Sequence, residues 1–228
     1  MKHLLTALIL IISLSSCGNE RIVQLPETQN KDILEINDVS SIYLFYDEAK
    51  DSVEFNRKNM ISTTNWLVAI DKRINLKQTL PHLQYLHEKR HGDGMHKNEA
   101  ARNYFSCSNP DIKNLAFIDF TDTKFIEESA SMHQSKSSSL LGKRSVILEF
   151  LSQNEITIHN ISDSLSMIKS SKFSFINDIK SNLKTEDAIL KLDFNNLLTF
   201  QDYIDIKSEL LKLNMNNLII SDKEFIHN

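Results

Sequence analysis

The sequence predicts an α+β protein in which helices pack on one face of a mixed sheet. Two hydrophobic patterns carry this prediction. Short runs that alternate, or that are rich in β-branched and aromatic residues, are typical of strands, whereas apolar residues three and four apart are typical of helices. Both patterns recur along the chain in mixed order, which favours helices on a sheet over an all-α or all-β fold. One arrangement that fits is two tandem small α+β units.

The first half of the chain contains four predicted strands and one long predicted helix. The strands are 41–46, 52–55, 66–70 and 115–120. A stripe of leucines predicts a helix over 76–90, and Pro81 favours a start near Leu80, because proline cannot donate a backbone hydrogen bond. Residues 98–105 are predicted as a short helix. They fall in a stretch, 87–110, that we interpret as an insertion.

The second half repeats this mixture of strands and helices. Its predicted strands are 146–151, 155–159, 188–192 and 217–220, and its predicted helices are 173–183 and 199–214. The order is therefore ββαβαβ. A serine-rich stretch, 128–143, has the composition of a linker. We therefore divide the folded part into a first unit, 36–127, and a second unit, 144–228.

Four stretches of the first half match stretches of the second in order and hydrophobic pattern. The pairs are 41–44 with 145–148, 52–55 with 155–158, 68–71 with 190–193, and 114–117 with 217–220. A tandem repeat of one small unit is one explanation. The other is that any series of strands and helices produces such matches, because hydrophobic patterning is degenerate.

Composition and charge argue against several classes of function. The 228 residues carry a net charge of −4, so charge gives no reason to expect a nucleic acid partner. With 41% apolar residues, the chain can bury a core and is not disordered throughout. Its four glycines form no phosphate-binding pattern, which argues against a glycine-rich nucleotide loop.

The N-terminus has the pattern of a signal peptide that ends at a cysteine. Residues 1–3 are positive, and residues 4–14 form an apolar run too short to cross about 30 Å of hydrocarbon. Ser15 and Ser16 before Cys17 resemble the lipobox of bacterial lipoproteins. The resemblance implies removal of residues 1–16 and a diacylglyceryl thioether on Cys17, with further fatty acyl chains such as palmitate.

A lipid on Cys17 would hold the protein on a membrane of the cell envelope, facing the periplasm or the cell surface. Two alternatives stay open here: an uncleaved anchor, and an ordinary signal peptide with a coincidental cysteine. Residues 17–35 are largely polar and contain Pro26, which predicts a tether between the lipid and the fold.

The second unit resembles the end of the periplasmic domain of the ExbD/TolR family. The resemblance rests on 188–193, 199–203 and 210–220, and extends over about 144–228. It implies a non-catalytic accessory role in an ExbD/TolR-type transport system, with envelope proteins or peptidoglycan as partners and a homodimer as an assembly. The chain departs from that family, whose members carry an uncleaved transmembrane helix with a functional Asp.

Residues 87–91 spell His-Glu-Lys-Arg-His, which matches the HExxH pattern of zinc hydrolases. In that interpretation His87 and His91 are zinc ligands, Glu88 is the general base, and a third ligand comes from a later position in the chain. The two cations between the histidines and Gly92 directly after them favour a solvated polar helix end instead. We therefore predict a binding protein with no catalytic residues, and keep the metal-dependent hydrolase as the alternative.

Three further residues receive structural interpretations. With Cys17 acylated, Cys107 is a lone thiol, and such a thiol is usually a small buried apolar residue. Asp71 and Asp193 end predicted strands just before helices, a position that favours N-capping.

Overall fold

A computed structural model confirms the α+β fold class. It describes residues 21–93, 98–136, 144–160, 167–183 and 187–228. Within these ranges the chain forms two mixed sheets and four helices. The predicted signal peptide and Cys17 lie outside the described residues.

The first sheet has five strands in the order β2-β1-β3-β4-β5. They are β1 (Val39–Asp47), β2 (Ser52–Asn56), β3 (Asn65–Ile70), β4 (Asn103–Asn109) and β5 (Asn114–Asp119). Strands β1, β3 and β4 are parallel, and an antiparallel strand closes each edge. Helix α1 (Leu76–His91) connects β3 to β4.

The second sheet has six strands in the order β6-β11-β10-β7-β8-β9. They are β6 (Lys124–Ile126), β7 (Arg144–Ser152), β8 (Glu155–Asn160), β9 (Met167–Ser170), β10 (Ala188–Asn195) and β11 (Leu218–His227). Helix α2 (Ala130–Lys136) precedes β7, α3 (Phe175–Asn182) precedes β10, and α4 (Phe200–Leu211) connects β10 to β11.

The two sheets have the same strand connectivity over four of their strands. Each has a hairpin (β1–β2, β7–β8), a second strand parallel to the hairpin's first (β3, β10), a helix, and a third parallel strand (β4, β11). The equivalent of β11 is therefore β4, not β5, and the predicted match of 114–117 with 217–220 is wrong.

Two superpositions of the halves fit the strand registers. Ser41 pairs with Leu67 and Ser145 pairs with Ile189, so the predicted matches of 41–44 with 145–148 and of 68–71 with 190–193 agree with each other. Superposing the helix caps Asn75 and Thr199 instead matches 66–70 with 190–194, a shift of two residues. Such a shift keeps every side chain on its face, so the hydrophobic pattern alone does not distinguish the two superpositions.

One hydrophobic core contains buried residues of both sheets and of α1, α3 and α4. The ring of Phe105 on β4 stacks on Phe120 with centroids 3.8 Å apart. It also meets Phe200 and Tyr203 of α4 edge-on, at 5.2 and 5.9 Å. The two predicted units therefore share their core, and the division between them stays a prediction.

The beginnings of α1 and α4 are hydrogen-bonded to each other. Leu76 N–H donates to Leu198 O at 2.8 Å, and Phe200 N–H donates to Ile74 O at 2.7 Å. These reciprocal bonds satisfy backbone donors that a helix start leaves without intrahelical partners. They also join the two halves at equivalent positions.

The two aspartates that were predicted as helix caps, Asp71 and Asp193, do not occupy cap positions. Asn75 caps α1 and Thr199 caps α4, each through a side chain that accepts from a backbone N–H in the first turn. Asp71 instead follows β3 directly, and Asp193 lies within β10. Both aspartates are buried, and neither caps a helix.

Two other local predictions for the first half are wrong. Helix α1 confirms the helix predicted over 76–90, but it begins at Leu76 and not near Leu80, with Pro81 inside it, because the cap and the backbone bonds to the second half fix its first turn. The stretch 98–105 is not helical and leads into β4. Strand β4 therefore lies within the stretch predicted as an insertion.

The predicted linker is partly helical. Helix α2 occupies 130–136, and its buried Ala130 clusters with Ile147 and Phe225 of the second sheet. Strand β6, which precedes this stretch, pairs with β11. The predicted first unit thus supplies an edge strand to the second sheet. Residues 137–143 lie outside the described residues.

Candidate functional site

Residues 21–36, here called the N-terminal segment, are bound to the fold rather than extending from it. Backbone hydrogen bonds tie the segment to the end of β3 and to β4 and β5. They are Lys72 N–H to Gln24 O (2.8 Å), Ser108 N–H to Pro26 O (2.8 Å), Thr28 N–H to Ser108 O (2.9 Å) and Phe117 N–H to Ile33 O (3.0 Å). From Arg21 onward, the stretch predicted as a tether is therefore packed on the first sheet through backbone hydrogen bonds.

The N-terminal segment also contacts α4 in the second half. Glu27 N–H donates to the Gln201 side chain at 2.8 Å, and the Gln201 amide donates back to Glu27 O at 3.0 Å. The hydroxyls of Thr28 and Ser208 are 2.8 Å apart and buried. The segment therefore bridges the first sheet and α4.

Asp71 holds the start of this segment. Its carboxylate accepts from Arg73 Nε and Nη2, both at 2.9 Å, and from Gln24 N–H at 3.2 Å. Burial acts to raise the pKa of Asp71, but the hydrogen bonds from Arg73 and the two backbone N–H groups outweigh it. The pKa therefore lies below its ordinary value. Asp71 is thus an ionised carboxylate under the segment.

The outer face of the first sheet, opposite the core, carries a groove of about 440 Å³. The groove is lined by strand residues from β1, β3, β4 and β5 and by the start of the N-terminal segment. The lining residues are Arg21, Val23, Leu25, Ser41, Tyr43, Phe45, Leu67, Ala69, Ser106 and Leu115. Most of the lining is apolar.

The groove exists because large side chains surround small ones on this face. Small Ser41, Ala69 and Ser106 lie on three adjacent strands, β1, β3 and β4. Aromatic and aliphatic side chains flank them, and the rings of Tyr43 and Phe45 stack with centroids 5.6 Å apart. Alternate residues of the same strands face the core, so β1 and β3 are largely apolar on both faces.

Arg21 lies at the groove and forms a salt bridge with Glu54 of β2. This hydrogen-bonded contact lowers the pKa of Glu54 and raises that of Arg21. Cys17 precedes Arg21 by four residues in the sequence.

The last turn of α1 brings His87 and His91 together as a stacked pair. Their ring centroids are 4.2 Å apart, and His91 Nδ1 lies 3.0 Å from the His87 carbonyl oxygen. His91 Nε2 is 3.6 Å from Asp122 Oδ1. Burial lowers the pKa of His87, and the neighbouring His91 lowers it further.

The described residues include no group of three or more His, Cys, Asp or Glu side chains placed to hold a metal ion. Glu88 is exposed, and His96 lies outside the described residues. The ring of His82 packs on Phe55, with centroids 4.8 Å apart. The zinc hydrolase alternative thus has two stacked imidazoles and no third ligand within the described ranges.

Arg90, in the middle of the His-Glu-Lys-Arg-His segment, is buried rather than solvated. Its guanidinium stacks over the Trp66 ring at 3.8 Å and donates to the Asn103 side chain at 2.7 Å. It also donates to the carbonyls of Ser62 and Thr64. Burial lowers its pKa to about 10. This residue therefore fixes the loop before β3, and its charge is not part of a surface cluster.

The outer face of the second sheet carries two histidine–carboxylate pairs that the sequence analysis missed. His159 Nε2 lies 2.8 Å from Glu149 Oε2, and His227 Nε2 lies 2.8 Å from Asp193 Oδ1. Glu149 and Asp193 are register partners on β7 and β10. The pairs therefore lie across four adjacent strands.

Helix α2 covers part of this face, and Ala130 N–H donates to Asp193 Oδ2 at 2.8 Å. Burial raises the pKa of Asp193, and Glu149 adds to this, while the Ala130 N–H and His227 oppose it. Asp193 Oδ1 receives no aligned hydrogen bond within the described structure, and its 2.8 Å contact with His227 Nε2 is an ion pair only when the histidine is protonated. Glu149 and His159 lie at outward positions of predicted strands, which was a sequence signal, whereas Asp193 and His227 lie beyond the predicted ends of β10 and β11.

Cys107 is fully buried on β4, and burial raises the pKa of its thiol to about 12. This agrees with the prediction of a small buried apolar residue.

None of the described helices combines the length and apolar character needed to cross a membrane. No protein-family model, curated protein or solved structure matches the chain.

Proposed function

We propose that the chain is a lipid-anchored protein of the bacterial cell envelope that acts by binding and carries no catalytic residues. Cys17 is the proposed attachment point, as its lipobox-like context suggests. The observation that carries the proposal is the fixed position of Arg21 on the outer face of the first sheet. An anchor four residues earlier would hold that face against the membrane.

Two open features support a binding role. One is the groove on the first sheet. The other is a cleft of about 370 Å³ between the N-terminal segment and α4. The cleft has charged groups of both signs, including Lys172 and Glu209, and Phe173 beside it is 86% exposed. Volumes of this size lie within the range of ligand sites in proteins.

The finer part of the proposal is an accessory role in an ExbD/TolR-type transport system. Its support is the order of elements in 144–228, where the β7–β8 hairpin, α3, β10, α4 and β11 follow one another, with an additional edge strand, β9, between the hairpin and α3. The proposed partners are envelope proteins or peptidoglycan, and a homodimer is the proposed assembly. The alternative is a metal-dependent hydrolase that binds zinc at His87 and His91, whose rings lie next to each other.

Fatty-acid labelling tests the anchor, because the chain has two cysteines and each can be changed alone. Cells expressing the full chain are grown with an alkyne-tagged fatty acid, and membranes are separated from soluble protein. We expect label and membrane recovery for the native chain. Cys17→Ala abolishes the label, whereas the matched control Cys107→Ala, at a buried site, keeps it. Label that survives Cys17→Ala contradicts the proposal.

A further inference from the structure

We infer that the groove on the first sheet takes up acyl chains of the anchoring membrane's lipids, so that the outer face of this sheet lies at the boundary between headgroups and hydrocarbon. The inference rests on the proposed function, since it uses Cys17 as the anchor. It adds a second contact with the membrane, made by the fold itself and distinct from the attached lipid.

The lining of the groove suits hydrocarbon. Seven of its ten residues are apolar or aromatic, and Leu115 on the edge strand β5 is 39% exposed. The three polar residues, Arg21, Ser41 and Ser106, include one full charge, and that charge is paired with Glu54.

The groove also has the residue types found where proteins meet lipid headgroups. Tyr43 and Arg21 combine an apolar body or stem with a polar end, which lets such side chains bury carbon while the polar end stays in water. Next to Arg21, Ile22 is 76% exposed. This combination matches an interfacial surface better than an enclosed cavity for a free ligand.

The position of the anchor selects the membrane as the occupant. The described chain begins at Arg21, which lines the groove, and Cys17 lies within about 14 Å of it along the chain. A lipid on Cys17 would hold the groove next to the bilayer, at an effective concentration that makes even a weak contact form. The exposed apolar residues of the second sheet are far from Cys17 in the sequence, so the predicted lipid does not place them next to the bilayer.

Photo-crosslinking in intact membranes tests the inference on the full chain. Cells incorporate a fatty acid with a diazirine and an alkyne into their phospholipids, the membranes are irradiated, and adducts are mapped by mass spectrometry. We expect phospholipid adducts on peptides that contain Tyr43, Phe45 and Leu67. Leu115→Asp should lower their yield about tenfold, because a carboxylate in the groove disfavours hydrocarbon.

The matched control is Leu151→Asp on the second sheet, where Leu151 is 36% exposed. We expect it to leave groove adducts within twofold of the native yield, and thermal melting verifies that both variants fold. Adducts spread equally over both sheets, or none in the groove, overturn the inference. Adducts that join the groove to the lipid on Cys17 itself also overturn it, because the occupant is then the chain's own acyl group.

The same sample separates failure of this inference from failure of the proposed function. The mass of the N-terminal peptide reports whether Cys17 carries lipid. A lipidated Cys17 without groove adducts refutes the inference alone. An unmodified Cys17 in a protein that washes off the membrane refutes both.

Discussion

The two sheets share their strand connectivity but carry different types of residue on their outer faces. In the first sheet, the register pair Tyr43–Ala69 helps to form an apolar groove to whose lining no described helix contributes. With the helix caps superposed, the equivalent pair in the second sheet is Glu149–Asp193, whose carboxylates are paired with histidines, and α2 contacts Asp193. The core-facing residues of both sheets, in contrast, are apolar throughout most of their length.

This difference shows which part of the molecule is free to carry function. The core faces must pack into one shared interior, so both halves keep the same hydrophobic pattern there. The outer faces have no such common constraint. The outer face of the first sheet is apolar and lies next to the predicted anchor. The outer face of the second sheet carries charged side chains, and α2 packs on part of it.

The largest expected effect comes from the core that the two sheets share. Phe105→Ala removes a fully buried ring that contacts Phe120, Phe200 and Tyr203 across the two halves. We expect a loss of about 3–5 kcal/mol in the free energy of unfolding. Urea denaturation should show one transition by fluorescence of Trp66 and by circular dichroism. Two separate transitions in the native chain would show that the halves are independent.

A smaller effect is expected at Asp71, which holds the N-terminal segment. Asp71→Asn weakens the hydrogen bonds from Arg73 and Gln24, and we expect a loss of about 2 kcal/mol at pH 7. Because the folded pKa is lowered, the carboxylate stabilises the fold above its unfolded pKa of about 3.9 and loses this contribution as the pH falls through the folded value. The difference between variant and native protein should therefore shrink at pH 3. An equal difference at both pH values would contradict this account.

The smallest effect is expected at Asp193, and with the opposite pH dependence. Its pKa is raised, so the native protein loses stability as the pH rises from the unfolded pKa of about 3.9 through the higher folded pKa. Asp193→Asn avoids this loss and should leave stability unchanged or raise it by about 1 kcal/mol at pH 7. Its advantage should vanish at pH 3. A strongly destabilised variant at pH 7 would mean that the ion pair with His227 dominates.

The sequence predicted those elements whose side chains alternate strongly. Helix α4 follows from its stripe of Phe200, Tyr203, Ile206 and Leu210, all buried. Strand β4 was missed because its outward positions are polar Ser106 and Ser108, which conceal the alternation. Helix α2 was missed because its serine-rich sequence has no hydrophobic stripe, and tertiary contacts through Ala130 hold it.

The groove could be predicted only in part. Tyr43, Phe45 and Leu67 lie between core residues of their strands, so apolar character on both faces was a signal that one face is not ordinary solvent surface. The contribution of the N-terminal segment could not be predicted, because backbone hydrogen bonds hold it on the fold, and no hydrophobic pattern records such bonds. Residues 87–91 match the HExxH pattern, but in the structure they form a helix end with a buried Arg90. A five-residue motif therefore does not specify a zinc site without the residues around it.

The most direct test of the central claim is the mass of the N-terminal peptide of the protein extracted from membranes. We predict a chain that begins at Cys17 and carries a diacylglyceryl thioether there, with Cys107 unmodified. A chain that retains residues 1–16, or a Cys17 with a free thiol, would contradict the account and would remove the reason for placing the first sheet on a membrane.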